Sequence, residues 1–495
     1  MSSALLWLLP IALPLAASGA LLARRTPAAL VPLAPLSAVP ALLLALLPAP
    51  AAAELPWLLL GSRLGLDALS RPLLALTATL WLLAGLYACG YFSADRERRR
   101  FLCFFLPAMS GNLGLILAQD MPLFYCCFAL MSVASYGLIV FTGERTALQA
   151  GRVYIAMVFL GEVLLFTGLV MAAWIGDSAL WSDVAATLPG ADAGRLAAAL
   201  LMVGFAVKAG ALPLHVWLPL AHPAAPVPAS AVLSGAMIKA GLLGWLRVAP
   251  AAAGAWEGWI TLALVLGISA AFWGVAVGLG QRNPKTVLAY SSLSQMGLIT
   301  VALALGMSAA TAAAYTPVLL YAAHHGLAKG ALFLGVGIAP APGAGPWPRR
   351  LRALGLLLPA LVLAGLPLSS GALAKAALKT GLPAAPAPWP QALGLLLPVA
   401  ALGTTLLMAR FLWLLWQQPG AGRAATPAIA WLAWGALLAL VALAVLLWPW
   451  PASGDALRYA HSLPGLLQTL WPLLAGSAIS ALCAARGAWE RRRGR

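Results

Sequence analysis

Residues 201–219 read LMVGFAVKAGALPLHVWLP. An apolar run long enough to be a membrane helix carries a lysine, Lys208, near its middle. Five residues later comes Pro213, and the run goes on into Leu218-Pro219. Proline removes a backbone donor. In lipid, freed backbone groups are tolerated only against protein or a water-lined cavity. This stretch therefore reads as an interrupted membrane helix with a buried cation beside the interruption.

The rest of the chain supports the membrane setting. It is 62% hydrophobic and 9% charged, whereas soluble domains carry about 25% charged residues. Apolar runs of about 20 residues recur throughout, each able to cross a hydrocarbon core of about 30 Å as a helix. The alternating ten-residue segments of a β-barrel are missing. The expected fold is an all-α polytopic membrane protein with about 14–15 transmembrane helices. Spans are expected near 3–23, 27–50, 72–93, 101–118, 121–141, 151–175, 194–220, 228–249, 257–279, 284–306, 312–338, 351–380, 391–417, 426–449 and 464–484. A second interruption falls in the twelfth, at Gly365-Leu366-Pro367 followed by Ser369-Ser370-Gly371.

The charges orient these spans. Net charge is 30 − 13 = +17. With the N-terminus outside, the inner loops collect Arg24 and Arg25, Arg96 to Arg100, Arg145 and Arg152, Arg282 and Lys285, Arg349, Arg350 and Arg352, Arg423, and the basic tail Arg491-Arg492-Arg493. This is the positive-inside pattern. It explains the basic balance without a nucleic acid partner and places the C-terminus in the cytoplasm. The segment Ser3 to Ala23 lacks a basic start and has its arginines after it, which suits a first span rather than a signal peptide. The five cysteines form no CxxC pair, and no haem, iron–sulfur, nucleotide or metal pattern is present, so no cofactor is expected on this chain.

Lysine usage carries the functional argument. The chain has 24 arginines and six lysines: Lys208, Lys239, Lys285, Lys329, Lys375 and Lys379. Arginine serves the loops, yet Lys208, Lys239, Lys329 and Lys375 fall inside spans. Arginine never gives up its proton, whereas lysine can when buried. Each buried charge costs at least about 2.5 kcal/mol at the bilayer centre. Snorkelling to an interface suits Lys379, at a span end, and could serve Lys329. It does not suit Lys208 or Lys239. Glu162 is the one acid deep in a span, and Lys208 on the next span is its natural partner. His324 and His325, within six residues of Lys329, suit a proton relay. His215 and His222 flank Trp217-Leu218-Pro219 and read either as interfacial or as part of the site. No carboxylate or cysteine is spaced to complete a metal site with any histidine.

At these residues a family resemblance emerges. Gly204 to Lys208, Pro213 to Pro219 and Ala221 to Pro226 resemble the signature of the antiporter-like membrane subunits of NADH-quinone oxidoreductase (complex I), of Mrp antiporters and of hydrogenase-4-type complexes. SGAMIKAG at 234–241, KTVLAYSS at 285–292 with Gln295-Met296-Gly297, HHGLAKGALF at 324–333, and Leu363 to Gly371 leading to Lys375 extend it over roughly 100–420. The variants lean towards the hydrogenase-type and Mrp D-type branch. The resemblance implies two inverted five-helix repeats, spans 4–8 and 9–13, each with a broken helix. It divides the chain into residues 1–100 (three helices), 101–420 (antiporter-like core) and 421–495 (C-terminal helices and basic tail). It also implies a mid-membrane file of charge in which Lys208 is the first half-channel lysine and Lys239 the connector. His324, His325 or Lys329 would bridge to the second half, and Lys375 would end it. One position departs: Ala129 stands where relatives have a glutamate, and Glu162 is a candidate stand-in.

The expected function is a proton- or Na+-translocating subunit of a multisubunit complex in a bacterial cytoplasmic membrane. Other membrane subunits, the lipid bilayer and the transported ion are the expected partners. With no redox centre of its own, the chain needs a partner for driving force. The alternative is a structural subunit with a degenerate channel, motivated by Ala129. A lipid-linked transferase would need an acidic loop motif that is missing.

Overall fold

The computed structural model describes residues 3–23, 26–188, 193–249, 257–309, 311–341, 346–417, 425–447 and 454–493. Arg24, Arg25 and Arg423, used above for orientation, lie outside the described residues. The chain divides into two compact units, 1–257 with 426–437, and 258–425 with 438–495. The division falls between the eighth and ninth expected spans.

In the first unit the helices are α1 (Ser3–Leu22), α2 (Val39–Leu46), α3 (Ser70–Tyr91), α4 (Asp95–Leu117), α5 (Met121–Ile139) and α6 (Arg145–Gly176). They are followed by α7 (Trp181–Thr187), α8 (Gly194–Ala209), α9 (Leu218–Ala224), α10 (Val227–Val232) and α11 (Ile238–Val248). The second unit contains α12 (Glu257–Leu279), α13 (Pro284–Ala309), α14 (Thr316–Gly337), α15 (Pro346–Ala364), α16 (Ser370–Thr380), α17 (Trp389–Gln417), α19 (Gly454–His461) and α20 (Leu463–Arg493). The helix α18 (Ala428–Leu447) is divided between the two.

Among the described residues, twelve helical stretches are long and apolar enough to cross a membrane. Each coincides with an expected span. The other three expected spans are the seventh, eleventh and twelfth. The seventh is cut into α8 and α9, the twelfth into α15 and α16, and the eleventh is α14, with His324, His325 and Lys329 in one helix. Two local features were not foreseen. The second span begins as a tight 3-10 helix, Ala28–Ala38, where Pro32 and Pro35 remove the donors an α-helix needs. A short antiparallel hairpin, β1 (Ala53–Leu55) with β2 (Ser62–Leu64), closes the loop before α3. Three residues per strand are too few to stand out from loop sequence.

Close backbone approach sets the packing. A Cβ on Gly111 of α4 would lie 2.5 Å from the Cys127 carbonyl oxygen and the Met131 nitrogen of α5. Small residues let membrane helices meet at this distance, where van der Waals contact replaces the absent hydrophobic drive. Asp120 caps α5 by accepting the Leu123 amide at 2.9 Å. Opposite the packed faces, α6 exposes Phe159, Val163, Phe166 and Trp174, as a lipid-facing helix does.

One ion pair ties the loop before α3 to α11. Arg247 bonds to Asp67 and is only 8% exposed. Burial alone would push the Asp67 carboxyl up, but the Arg247 guanidinium and the Ser70 amide outweigh it and hold it below the usual 3.8. Its stabilising effect is therefore present above pH 3.8 and fades as pH falls through the lowered value. Asp67→Asn would strand a buried guanidinium and should cost about 2 kcal/mol, the part-exposed share of a broken buried pair. Thermal unfolding of the purified protein in detergent checks this. The wild type should lose the same increment below about pH 4, and the variant should show no such loss.

Candidate ion-transfer site

In the first unit the site is built around the end of α8. Gly210 closes the helix in the left-handed region, with φ of +68°, a conformation that a Cβ disfavours. The chain then runs irregularly through Pro213 to α9. Stopping the helix frees its last carbonyls. The Trp217 indole donates to one of them, Val207, at 2.8 Å. Lys208 lies in the same last turn, where the helix dipole favours a cation. Its ammonium is buried and donates to the Ser132 hydroxyl at 3.2 Å and the Tyr154 hydroxyl at 3.3 Å. Tyr154 in turn donates to the Ser132 carbonyl at 3.0 Å. The Phe128 and Tyr154 rings stand 5.8 and 5.7 Å from the ammonium, within cation–π range.

Glu162 and Lys208 line one cavity of about 270 Å³, together with Ser132, Tyr154 and Trp217. Glu162 is 8% exposed, and its carboxylate lies close to the Ser132 hydroxyl and in the field of the Lys208 ammonium without bonding directly to it. The expected partnership is thus one of a shared cavity, while the hydrogen bonds of Lys208 go to hydroxyls. Ser132 and Tyr154 come from α5 and α6. Nothing in the order of residues along the chain marks them as lysine ligands. Ala129 lies one turn before Ser132, on the adjoining face of α5.

Lys239 is 2% exposed at the start of α11. A π-helical turn, Leu233–Met237, precedes it, and its ammonium donates to the Ser234 carbonyl at 2.7 Å. Such turns interrupt regular helix geometry and often mark functional positions. Of the two histidines flanking Trp217-Leu218-Pro219, His215 is part-exposed. His222 is fully buried within the protein rather than at an interface.

In the second unit, Lys329 is fully buried and donates to the Leu288 carbonyl of α13 at 2.8 Å, so it does not snorkel. His325 is fully buried beside it in sequence. His324 Nδ1 meets the Ser370 hydroxyl at 3.1 Å, which ties α14 to the break between α15 and α16. The break itself runs from Gly365, at φ +105°, through Pro367 and Leu368 to Ser369. Ser369 caps α16 by accepting from the Gly371 and Ala372 amides. Gly371 admits no side chain, since a Cβ there would fall 1.8 Å from the Val362 carbonyl oxygen. Lys375 reaches back from α16 to donate to the Ala364 carbonyl, at the end of α15. A polar chain runs nearby: Tyr321 donates to Gln295 at 3.0 Å, and Gln295 donates to Thr404 at 3.0 Å. Gln295 is fully buried; its place in a polar position of an apolar span was the signal that could have singled it out. Among the described residues, no three His, Cys, Asp or Glu side chains converge as a metal site would require.

Many spanning helices, two of them broken, and buried lysines at or near the breaks define an antiporter-type membrane subunit. The profile described as "NADH:quinone oxidoreductase/Mrp antiporter, TM" matches residues 118–382, more than half of the chain. The chain belongs to this family. Hydrogenase-4 component B of Escherichia coli K12 is 30% identical over 289 residues, covering 55% of this chain and 43% of that one. The Na(+)/H(+) antiporter subunit A1 of Staphylococcus haemolyticus is 31% identical over 283 residues, covering 54% of this chain and 35% of that one. NAD(P)H-quinone oxidoreductase chain 4 1 of a Picosynechococcus strain is 32% identical over 293 residues, covering 58% and 53%. The chain thus spans about half or less of these curated relatives. The Mrp complex from Dietzia has the same fold, with a TM-score of 0.80 at 22% identity, covering all of this chain and 57% of that one. So does an archaeal membrane-bound sulfane sulfur reductase, with a TM-score of 0.74 at 20% identity, covering 96% of this chain and 99% of that one.

Glu162→Gln should lower coupled ion transport by about tenfold or more, the effect of losing a transfer step worth ~1.4 kcal/mol or above. Adding Ala129→Glu to it should recover transport, because a carboxylate one turn from Ser132 can reach the same cavity. Transport in membrane vesicles compares the two. No recovery in the double variant would argue against Glu162 as the stand-in acid.

Proposed function

We propose that this chain is the ion-translocating subunit of a multisubunit membrane complex, moving protons, or Na+ coupled to them. The proposed order of groups is Glu162, Lys208, Lys239, then His324, His325 or Lys329, then Lys375. The observation that carries the reading is the buried Lys208 ammonium, resting on two hydroxyls in a cavity shared with the buried Glu162 carboxylate. A purely structural bundle gains nothing from burying an ammonium and a carboxylate together in apolar spans, since the desolvation of both is costly.

The chemistry follows from that arrangement. Glu162 takes up a proton when the cavity is wet, and water bridges the gap that no direct hydrogen bond closes. Lys208 accepts the proton as an amine and is held as an ammonium by Ser132, Tyr154 and the end of α8. Its charge repels a proton from Lys239, so occupancy at one lysine biases the next. The broken helices serve this by presenting carbonyls that a continuous helix would consume. The driving force comes from partner subunits. Positive loops favour a bacterial cytoplasmic membrane setting with the N-terminus outside and the basic tail inside. The second reading, a structural subunit with an impaired first half-channel, is favoured by Ala129 alone.

Lys208→Ala and Lys239→Ala should each abolish coupled transport in vesicles while the complex still assembles. Lys208→Arg should do the same, because it keeps the charge but cannot release the proton. Wild-type transport in all three would eliminate the relay and leave the structural reading.

A further inference from the structure

We propose that the second half of the path leaves the protein past Lys379, through a cavity closed by α19 and α20, and that Lys379 is the proton's last stop before the surface. This rests on the reading of Lys375 as the terminal residue of the relay.

Lys375 and Lys379 stand one turn apart on α16 and line the same cavity, of about 550 Å³. Among the described residues, no aspartate or glutamate lines it. Two ammonium groups one turn apart between apolar walls repel each other, so a single cation shared between them is the favoured state. That is the condition for transfer. The Lys375 ammonium loses a proton to the Lys379 amine, directly or through one water. Lys375 becomes a neutral amine, Lys379 becomes the ammonium, and Lys379 then releases the proton to bulk water. One proton moves, and the net charge of the pair is unchanged until release.

Three observations place the outlet here. First, Lys379 is one of six lysines in a chain whose loops, Lys285 apart, take their positive charge from arginine. A snorkelling cation would extend to solvent, but this one bonds to Gln468 of α20. Second, Tyr459 of α19 donates to the same Gln468 oxygen at 2.7 Å. A single amide oxygen therefore holds the ammonium and the phenol in place. Third, α19 is fixed over α16 by an apolar cluster of Leu320, Leu373, Ala377 and Ala456. Asp455 and Arg458 of the same short helix are 81% exposed. A few residues of α19 thus connect the cavity wall to the surface. By the alternation of spans that puts the basic tail inside, this is the outer face. Gln468 and Tyr459 lie beyond residues 118–382, the part of the chain that the family profile matches.

The test uses the assembled complex in vesicles, with proton movement as the readout. Lys375→Ala tests the underlying path, and Lys379→Met and Lys379→Arg test the outlet. Lys379→Arg keeps the charge and can still donate to Gln468, so it should assemble even if the methionine variant does not. The expected result is a loss of tenfold or more in Lys379→Arg, matching Lys375→Ala. Wild-type transport in Lys379→Arg overturns the proposal, because charge at that position would then suffice. Wild-type transport in Lys379→Met also overturns it and puts the outlet elsewhere, even if Lys375→Ala is inactive. Should Lys375→Ala itself transport normally, the underlying path fails and the outlet fails with it.

Discussion

A helix that stops inside a membrane leaves carbonyls without donors, and every one of them must be answered by the protein. This constraint organises both units. After α8 the answer is the Trp217 indole on the Val207 carbonyl. After α15 it is the Lys375 ammonium on the Ala364 carbonyl. The two breaks solve the same problem with different groups, and the difference fixes where the charge sits. In the first unit the lysine precedes the break and is free to rest on Ser132 and Tyr154. In the second it follows the break and is itself the donor.

Further buried lysines use the same chemistry. Lys239 rests on the Ser234 carbonyl within a π-helical turn, and Lys329 on the Leu288 carbonyl of a neighbouring helix. A carbonyl accepts a charge-assisted bond from an ammonium without neutralising it. A carboxylate would neutralise it and hold it more firmly. For a group that must change protonation state, the weaker ligand leaves the balance adjustable. Glu162 fits the pattern from the other side, as a carboxylate kept within the cavity of Lys208 but not bonded to it.

Much of this was legible in the sequence. Burying a charge in an apolar run is so costly that Lys208, Lys239 and Lys329 stood out by composition alone. Pro213, Gly365 and Pro367 marked the interruptions for the same reason, because glycine and proline weaken helices wherever they occur. What could not be read were the partners. Ser132, Tyr154, Ser370 and Gln468 are ordinary polar residues in their own spans, and each acquires a role only when another helix is laid against it. Lys379 shows the limit well: a lysine at a span end reads as snorkelling, and only the Gln468 contact turns it inward.

The membrane class, the positions of the spans, the two interruptions and the identity of the buried cations all follow from the order of residues. These follow from local free energies of transfer, which each residue carries regardless of its neighbours. Which hydroxyl, carbonyl or carboxylate each cation faces depends on how the helices pack. That packing made Glu162 a cavity neighbour of Lys208 rather than an ion-pair partner, and it enclosed His222 and Lys329. Those outcomes depend on helix packing at distances of a few ångströms, set by glycines such as Gly111 and Gly371, and hydropathy carries no information at that scale.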